Sequence, residues 1–78
     1  MDTDQDKVIV AAGGSASTVQ VHHRDFSEIR TEGPTPKEAA MLLIHQLSRA
    51  LDSALIDWRR DRVKEAIADV QAFVDHQG

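Results

Sequence analysis

Histidines, a glycine-serine loop and a basic cluster are the features of this 78-residue chain that could do chemistry. His22 and His23 are neighbours in a segment that reads as a strand, so their side chains leave opposite faces and cannot share one metal ion without a bulge. His45 and His76 fall in different helical segments. A zinc-type site needs three or four convergent ligands, and the chain has no cysteine to supply thiolates, so neither a metal nor another cofactor is expected. Gly13-Gly14-Ser15-Ala16-Ser17 has the residue types of a phosphate loop. Such a loop opens a helix and carries a following Lys and Ser or Thr, whereas here a strand pattern follows, which makes the segment a hairpin connection. Ser15 and Ser17 have no sequence-evident base or oxyanion partner, and the expectation is a protein that is not an enzyme.

Arg59, Arg60, Arg62 and Lys64 form the only basic cluster, interleaved with Asp57, Asp61 and Glu65. Opposite charges three and four residues apart predict intrahelical pairs on a solvated face, worth a few tenths of a kcal/mol each. Beside Trp58, which could stack on a base, the same cluster is where a nucleic-acid contact would be built. A net charge of −4 argues against a domain devoted to neutralising phosphates.

These residues must be positioned by one small domain. Residues 1–6 are acidic and polar and read as a disordered tail, and residues 7–78 as a single α+β domain. The acidic opening lacks the basic and apolar stretches of a targeting segment, and no apolar run approaches the ~18 residues of a membrane span, so a cytoplasmic protein with no membrane partner is expected. Val8 to Ala12 is an apolar, largely β-branched strand, and the glycines that follow are expected to supply positive φ angles for the turn. From Thr18 the pattern alternates, with Val19 and Val21 on one side and Thr18, Gln20 and His22 on the other. Phe26 to Thr31 reads as a third short strand with Ile29 inward and Glu28 and Arg30 outward.

Thr35-Pro36-Lys37-Glu38 is a helix start: Thr35 caps, Pro36 occupies the first position and Glu38 can complete a capping box. Ala40, Leu43, Ile44, Leu47, Leu51, Ala54 and Trp58 then keep one helical phase, while Val63, Ala66, Ile67, Val70 and Val74 keep another. The second stripe is rotated from the first by roughly 120°, so the spacing predicts two helices with a break between Asp52 and Asp57. A bent continuous helix is the alternative. The fold class is therefore α+β, a short antiparallel sheet of two or three strands followed by two helices.

From Asp25 through Ala39 the chain resembles HicB-type antitoxin domains. Asp25 and Phe26 match the Asp and apolar residue that open the last strand, and Gly33, Thr35, Glu38 and Ala39 match a Gly-x-Thr-x-x-Glu-Ala signature leading into the helix. The resemblance covers residues 7–51 and implies a ββ-hairpin, a third strand and a packed helix, similar to a double-stranded-RNA-binding core. It also implies a protein partner, since such cores pair with a small RNA-cleaving toxin and block it. Ser27-Glu28 replaces the usual Pro-Gly of the family, and one further helix stands where a DNA-binding module usually follows.

A chain this short buries only about 60% of its unfolded surface, has no disulfide, and leaves sheet edges open, so a homodimer is expected. Trp58, Val63, Ile67, Val70, Phe73 and Val74 are the candidate interface: if the second helix packs on its own sheet the stripe is core, and if it projects it must meet another chain. Trp58 is expected in the core or at the dimer seam. The reading is a protein-interaction module, HicB-like and dimeric. The alternative is a nucleic-acid-binding regulator using Arg59, Arg60, Arg62 and Lys64.

Overall fold

A computed structural model describes residues 7–53 and 57–77. Three strands, β1 (Val8–Ala12), β2 (Val19–His23) and β3 (Arg30–Gly33), are followed by helices α1 (Pro36–Ser53) and α2 (Asp57–Gln77), with a 3-10 turn at Arg24–Phe26. The sheet is antiparallel in the order β1-β2-β3, pairing Val10 with Val21 and Val21 with Thr31. This is the α+β architecture expected from the patterning. The acidic tail and Ala54 lie outside the described residues.

α1 begins where its cap says it should. The Glu38 N–H donates to Thr35 Oγ1 at 3.1 Å and the Ala39 N–H to the Thr35 carbonyl at 3.0 Å, which satisfies donors that a helix start otherwise leaves orphaned. The Glu38 carboxylate accepts from the Thr35 hydroxyl at 3.3 Å. α1 ends at Ser53 and α2 starts at Asp57, so the change of helical phase does mark separate helices. Arg60 reaches back from α2 and donates to the Leu51 carbonyl at 3.1 Å, covering one of the acceptors left at the end of α1.

α1 lies over β2 and β3, while α2 packs chiefly along α1 and touches the sheet more lightly, at β1 and through His23 at the end of β2. Val21, Ala39, Ala40, Leu43, Leu47, Val63, Ala66 and Val70 are fully or almost fully buried, with Val8, Phe26 and Val74 beside them. Ile29, Ile44, Leu51, Ile67 and Phe73 pack around this core half-buried.

Two local expectations are corrected. The third strand does not start at Phe26: Arg24–Phe26 forms the 3-10 turn, which tucks Phe26 into the core, and β3 runs from Arg30 to Gly33. The hairpin glycines do not supply positive φ, because among the described residues no glycine has one. Gly13 is needed for a close approach instead. A Cβ there would collide with Thr18 Oγ1 and sit 2.9 Å from the Thr18 carbonyl carbon. Thr18 closes the loop: its carbonyl accepts from the Gly13 N–H at 3.0 Å and its hydroxyl donates to the Glu32 carboxylate on β3. That hydroxyl bond, followed by one from the Gly14 backbone, holds the Glu32 carboxyl below the usual carboxylate range.

Candidate functional site

His23 is the residue with the strongest chemical surroundings, and both its ring nitrogens are taken. It ends β2 in phase with Val19 and Val21, which turns it inward, and only 2% of it is exposed. Nδ1 accepts from the Asp25 N–H at 3.1 Å, so Nε2 carries the proton and donates to Asp69 Oδ2 on α2 at 2.8 Å. The Lys7 ammonium stands 3.6 Å from the other Asp69 oxygen. Phe26 meets the imidazole edge-on at 6.0 Å between ring centroids, and the Arg59 guanidinium lies 5.2 Å from the Phe26 ring centroid. With no ring nitrogen left to take a substrate proton, this row ties the end of β2 to α2; it does not form a general base. His23 is thus an interior residue and not an edge histidine.

His22 points from the opposite face, as adjacent strand residues must, and is half-buried. Partial burial first, then Arg30 and His23, holds its pKa below the ordinary 6.5. A base with a depressed folded pKa binds more protons unfolded than folded, so stability is intact above about pH 6.5 and declines as pH falls from there toward the folded pKa. His22→Gln is therefore expected to flatten the stability profile over that window. An unaltered slope in urea titrations across it would refute the assignment.

The basic cluster divides. Arg59 engages Phe26 and pairs with Glu28 at 3.6 Å, and Arg60 caps α1. Arg62 and Lys64 are exposed. The intrahelical pairs expected with Asp57, Asp61 and Glu65 do not form within 4.0 Å among the described residues, because Arg59 and Arg60 are directed at neighbouring elements instead. A purely electrostatic interface would have at most Arg62 and Lys64 to spend freely.

The apolar stripe also divides. Val63 and Val70 are wholly buried and Val74 is 8% exposed, so these three candidate interface residues are core within one chain, packed under α1. Ile67 and Phe73 are half-buried beside it. Trp58 is 63% exposed, and the core position expected for it is corrected: it sits in the first turn of α2, not on α1. Trp58→Ala is expected to change the stability of the isolated domain by less than about 0.5 kcal/mol in thermal unfolding. A loss of several degrees in Tm at low concentration would contradict this placement.

The apolar surface lies elsewhere. Ile9, Val10, Met41 and Leu42 are exposed along with Trp58. Met41 and Leu42 line a shallow groove with Pro34 and His45, flanked by Glu32 and Glu38. Ile9 and Val10 belong to β1, of which only Val8 is buried. Val10 lies opposite Val21, and so on the helix-facing side of the sheet, yet it stays exposed because α1 covers β2 and β3 and does not reach across β1. Ile9 and Ala11 lie on the other face. β1 is thus apolar on both faces and exposed from Ile9 to Ala12, and among the described residues no strand pairs with its far edge. The sequence carried a signal for this in its continuous run from Val8 to Ala12, where a half-buried strand would alternate.

The direction of the free backbone groups follows from the hairpin. Gly13 donates across to Thr18, so Gly13 faces β2, and alternation along an antiparallel ladder then turns Ala11 and Ile9 toward β2 as well. The N–H and C=O groups of Val8, Val10 and Ala12 point out from the open edge. The opposite edge is defended: β3 has only four residues, carries Arg30 and Glu32, and runs into Pro34. β1 carries no charge, no proline and no bulge.

Among the described residues no three of His, Asp and Glu are grouped to hold a metal ion, and no helix is long and apolar enough to cross a membrane. Compared with protein-family models, curated proteins and solved structures, the chain matches none of them.

Proposed function

We propose that this chain is a small non-enzymatic protein-interaction module that works as a homodimer and occludes or scaffolds a protein partner, as its resemblance to HicB-type cores implies. The observation that carries the reading is β1, an uncharged strand open at its edge and apolar on both faces. Sheet edges of this kind pair with another strand unless they are blunted by charge, proline or a bulge, and β3 is blunted where β1 is not. The buried His23, bonded at both nitrogens, supports the non-enzymatic side of the reading.

The test is the solution mass across a concentration series by sedimentation or light scattering. A dimer that dissociates on dilution is the expected result, because a short strand pairing is a small interface. A strict monomer at millimolar concentration would overturn the homodimer. Salt-sensitive nucleic-acid binding lost on Arg62→Glu with Lys64→Glu would overturn the protein-binding reading itself, and those two sites serve better than Arg59 and Arg60, which support the fold.

A further inference from the structure

Three features of β1 bear on which strand would fit its edge. The outward hydrogen-bonding groups belong to Val8, Val10 and Ala12, evenly spaced about Val10. The side chains are large at one end and small at the other, Val8 and Ile9 against Ala11 and Ala12. No charged residue lies within the strand.

We infer that β1 pairs with β1 of a second copy of this chain, antiparallel about a two-fold axis at Val10, to make one continuous sheet across the dimer. The inference rests on the homodimer reading and specifies its interface. In this register Val10 faces Val10, Val8 faces Ala12 and Ile9 faces Ala11, so each large side chain meets a small one at every position off the axis. All three outward residues then exchange hydrogen bonds with outward residues of the second copy. Shifting the pairing by one residue would set outward groups against inward ones. Shifting it by two keeps the hydrogen-bonding parity but leaves an outward residue unpaired on each strand, and sets either Ile9 against Ile9 or Ala11 against Ala11 at the axis. A two-fold isologous contact also closes on itself and leaves the β3 edges, with Arg30 and Glu32, at the two ends of the joined sheet.

The open edge makes an unusual variant available. The Val10 N–H takes no part in the β1–β2 ladder, so Val10→Pro removes an intermolecular donor while leaving the hairpin bonds intact. It is expected to be monomeric at concentrations where the parent is dimeric, with an unchanged far-UV circular dichroism spectrum. Amide exchange in the unaltered protein reads the same contact without mutation. Exchange at Val10 and Ala12 should slow about tenfold between dilute protein and a concentration at which nine-tenths is dimer, because only the monomer exposes them. Ile9 and Ala11 should be protected at both concentrations. Mixed labelled and unlabelled protein should show an intermolecular nuclear Overhauser effect between Ile9 Hα and Ala11 Hα, which face each other as a non-hydrogen-bonded pair.

The outcomes separate the two claims. A dimer in which the Val10 and Ala12 amides exchange as in the monomer overturns the β1 pairing and leaves the homodimer. Protected amides without the Ile9–Ala11 contact overturn the register. A strict monomer overturns both. If Val10→Pro does not fold, the exchange and labelling experiments on the parent decide.

Discussion

His23→Ala is expected to cost about 3 kcal/mol of folding stability, enough to bring the domain close to its unfolding midpoint at room temperature. The substitution opens a cavity at a site only 2% exposed, removes the acceptor of the Asp25 N–H and leaves the Asp69 carboxylate without its closest donor. A single core of this size seldom supplies more than roughly 3–5 kcal/mol, so one such loss consumes most of it. Asp69→Asn separates the contributions. An amide oxygen can still accept from Nε2–H, so only the charge and its approach to Lys7 are lost, and an effect of about 1 kcal/mol is expected. Urea denaturation followed by circular dichroism measures both. If His23→Ala kept the midpoint of the parent, the row from Lys7 to Arg59 would be incidental, and the histidine would have to be reconsidered as a functional group held at structural expense.

The elements were legible because each rests on short-range chemistry. Thr35-Pro36 caps and starts α1 by satisfying local donors, and the phase change between Leu51 and Val63 pointed to two helices ahead of one bent helix, whatever packed against them. The third strand was harder. Phe26 has the composition of a strand residue, but it ends a 3-10 turn capped by the His23 side chain, and Arg59 of the distant α2 lies over its ring, a contact that the local pattern does not name. The same limit hid the His23–Asp69 bond, whose partners are 46 residues apart: periodicity alone turns His23 inward, and nothing in the local pattern names the carboxylate waiting there. Val63, Val70 and Val74 were misplaced in the candidate interface for a third reason. An amphipathic stripe states that a face will be covered without stating by what, and α1 covers Val63 and Val70 in the same chain. β1 offered better information, since a strand apolar on both faces has twice the surface to bury and only one chain's helices to do it.

Gly33→Val is expected to be the most damaging substitution at the strand-to-helix junction, at about 3 kcal/mol, with Gly33→Ala costing about 1–2 kcal/mol. Gly33 is buried, and a Cβ on it would lie 3.0 Å from the Ala39 backbone nitrogen and 3.3 Å from its Cα, atoms of a helix that cannot yield without moving α1. Its φ is not positive, so the cost is steric and should grow with side-chain size, unlike that of a left-handed glycine, where alanine already carries most of the penalty. The junction is tight because Thr31 Oγ1 donates to the Ala39 carbonyl at 2.6 Å and draws β3 against the first turn. Thermal unfolding of the two variants measures the gradient, with each kcal/mol shifting Tm by about 4–8 °C in a domain of this size. Equal Tm for Gly33→Ala and the parent would show that the junction relaxes freely. The experiment also weighs the HicB-like signature. Gly33, Thr35, Glu38 and Ala39 are each explained by close approach or capping, so a stability gradient that follows side-chain volume means the motif encodes the strand-to-helix turn. A Gly33→Ala protein that folds as well as the parent but loses its dimer or partner would instead give the motif a binding role.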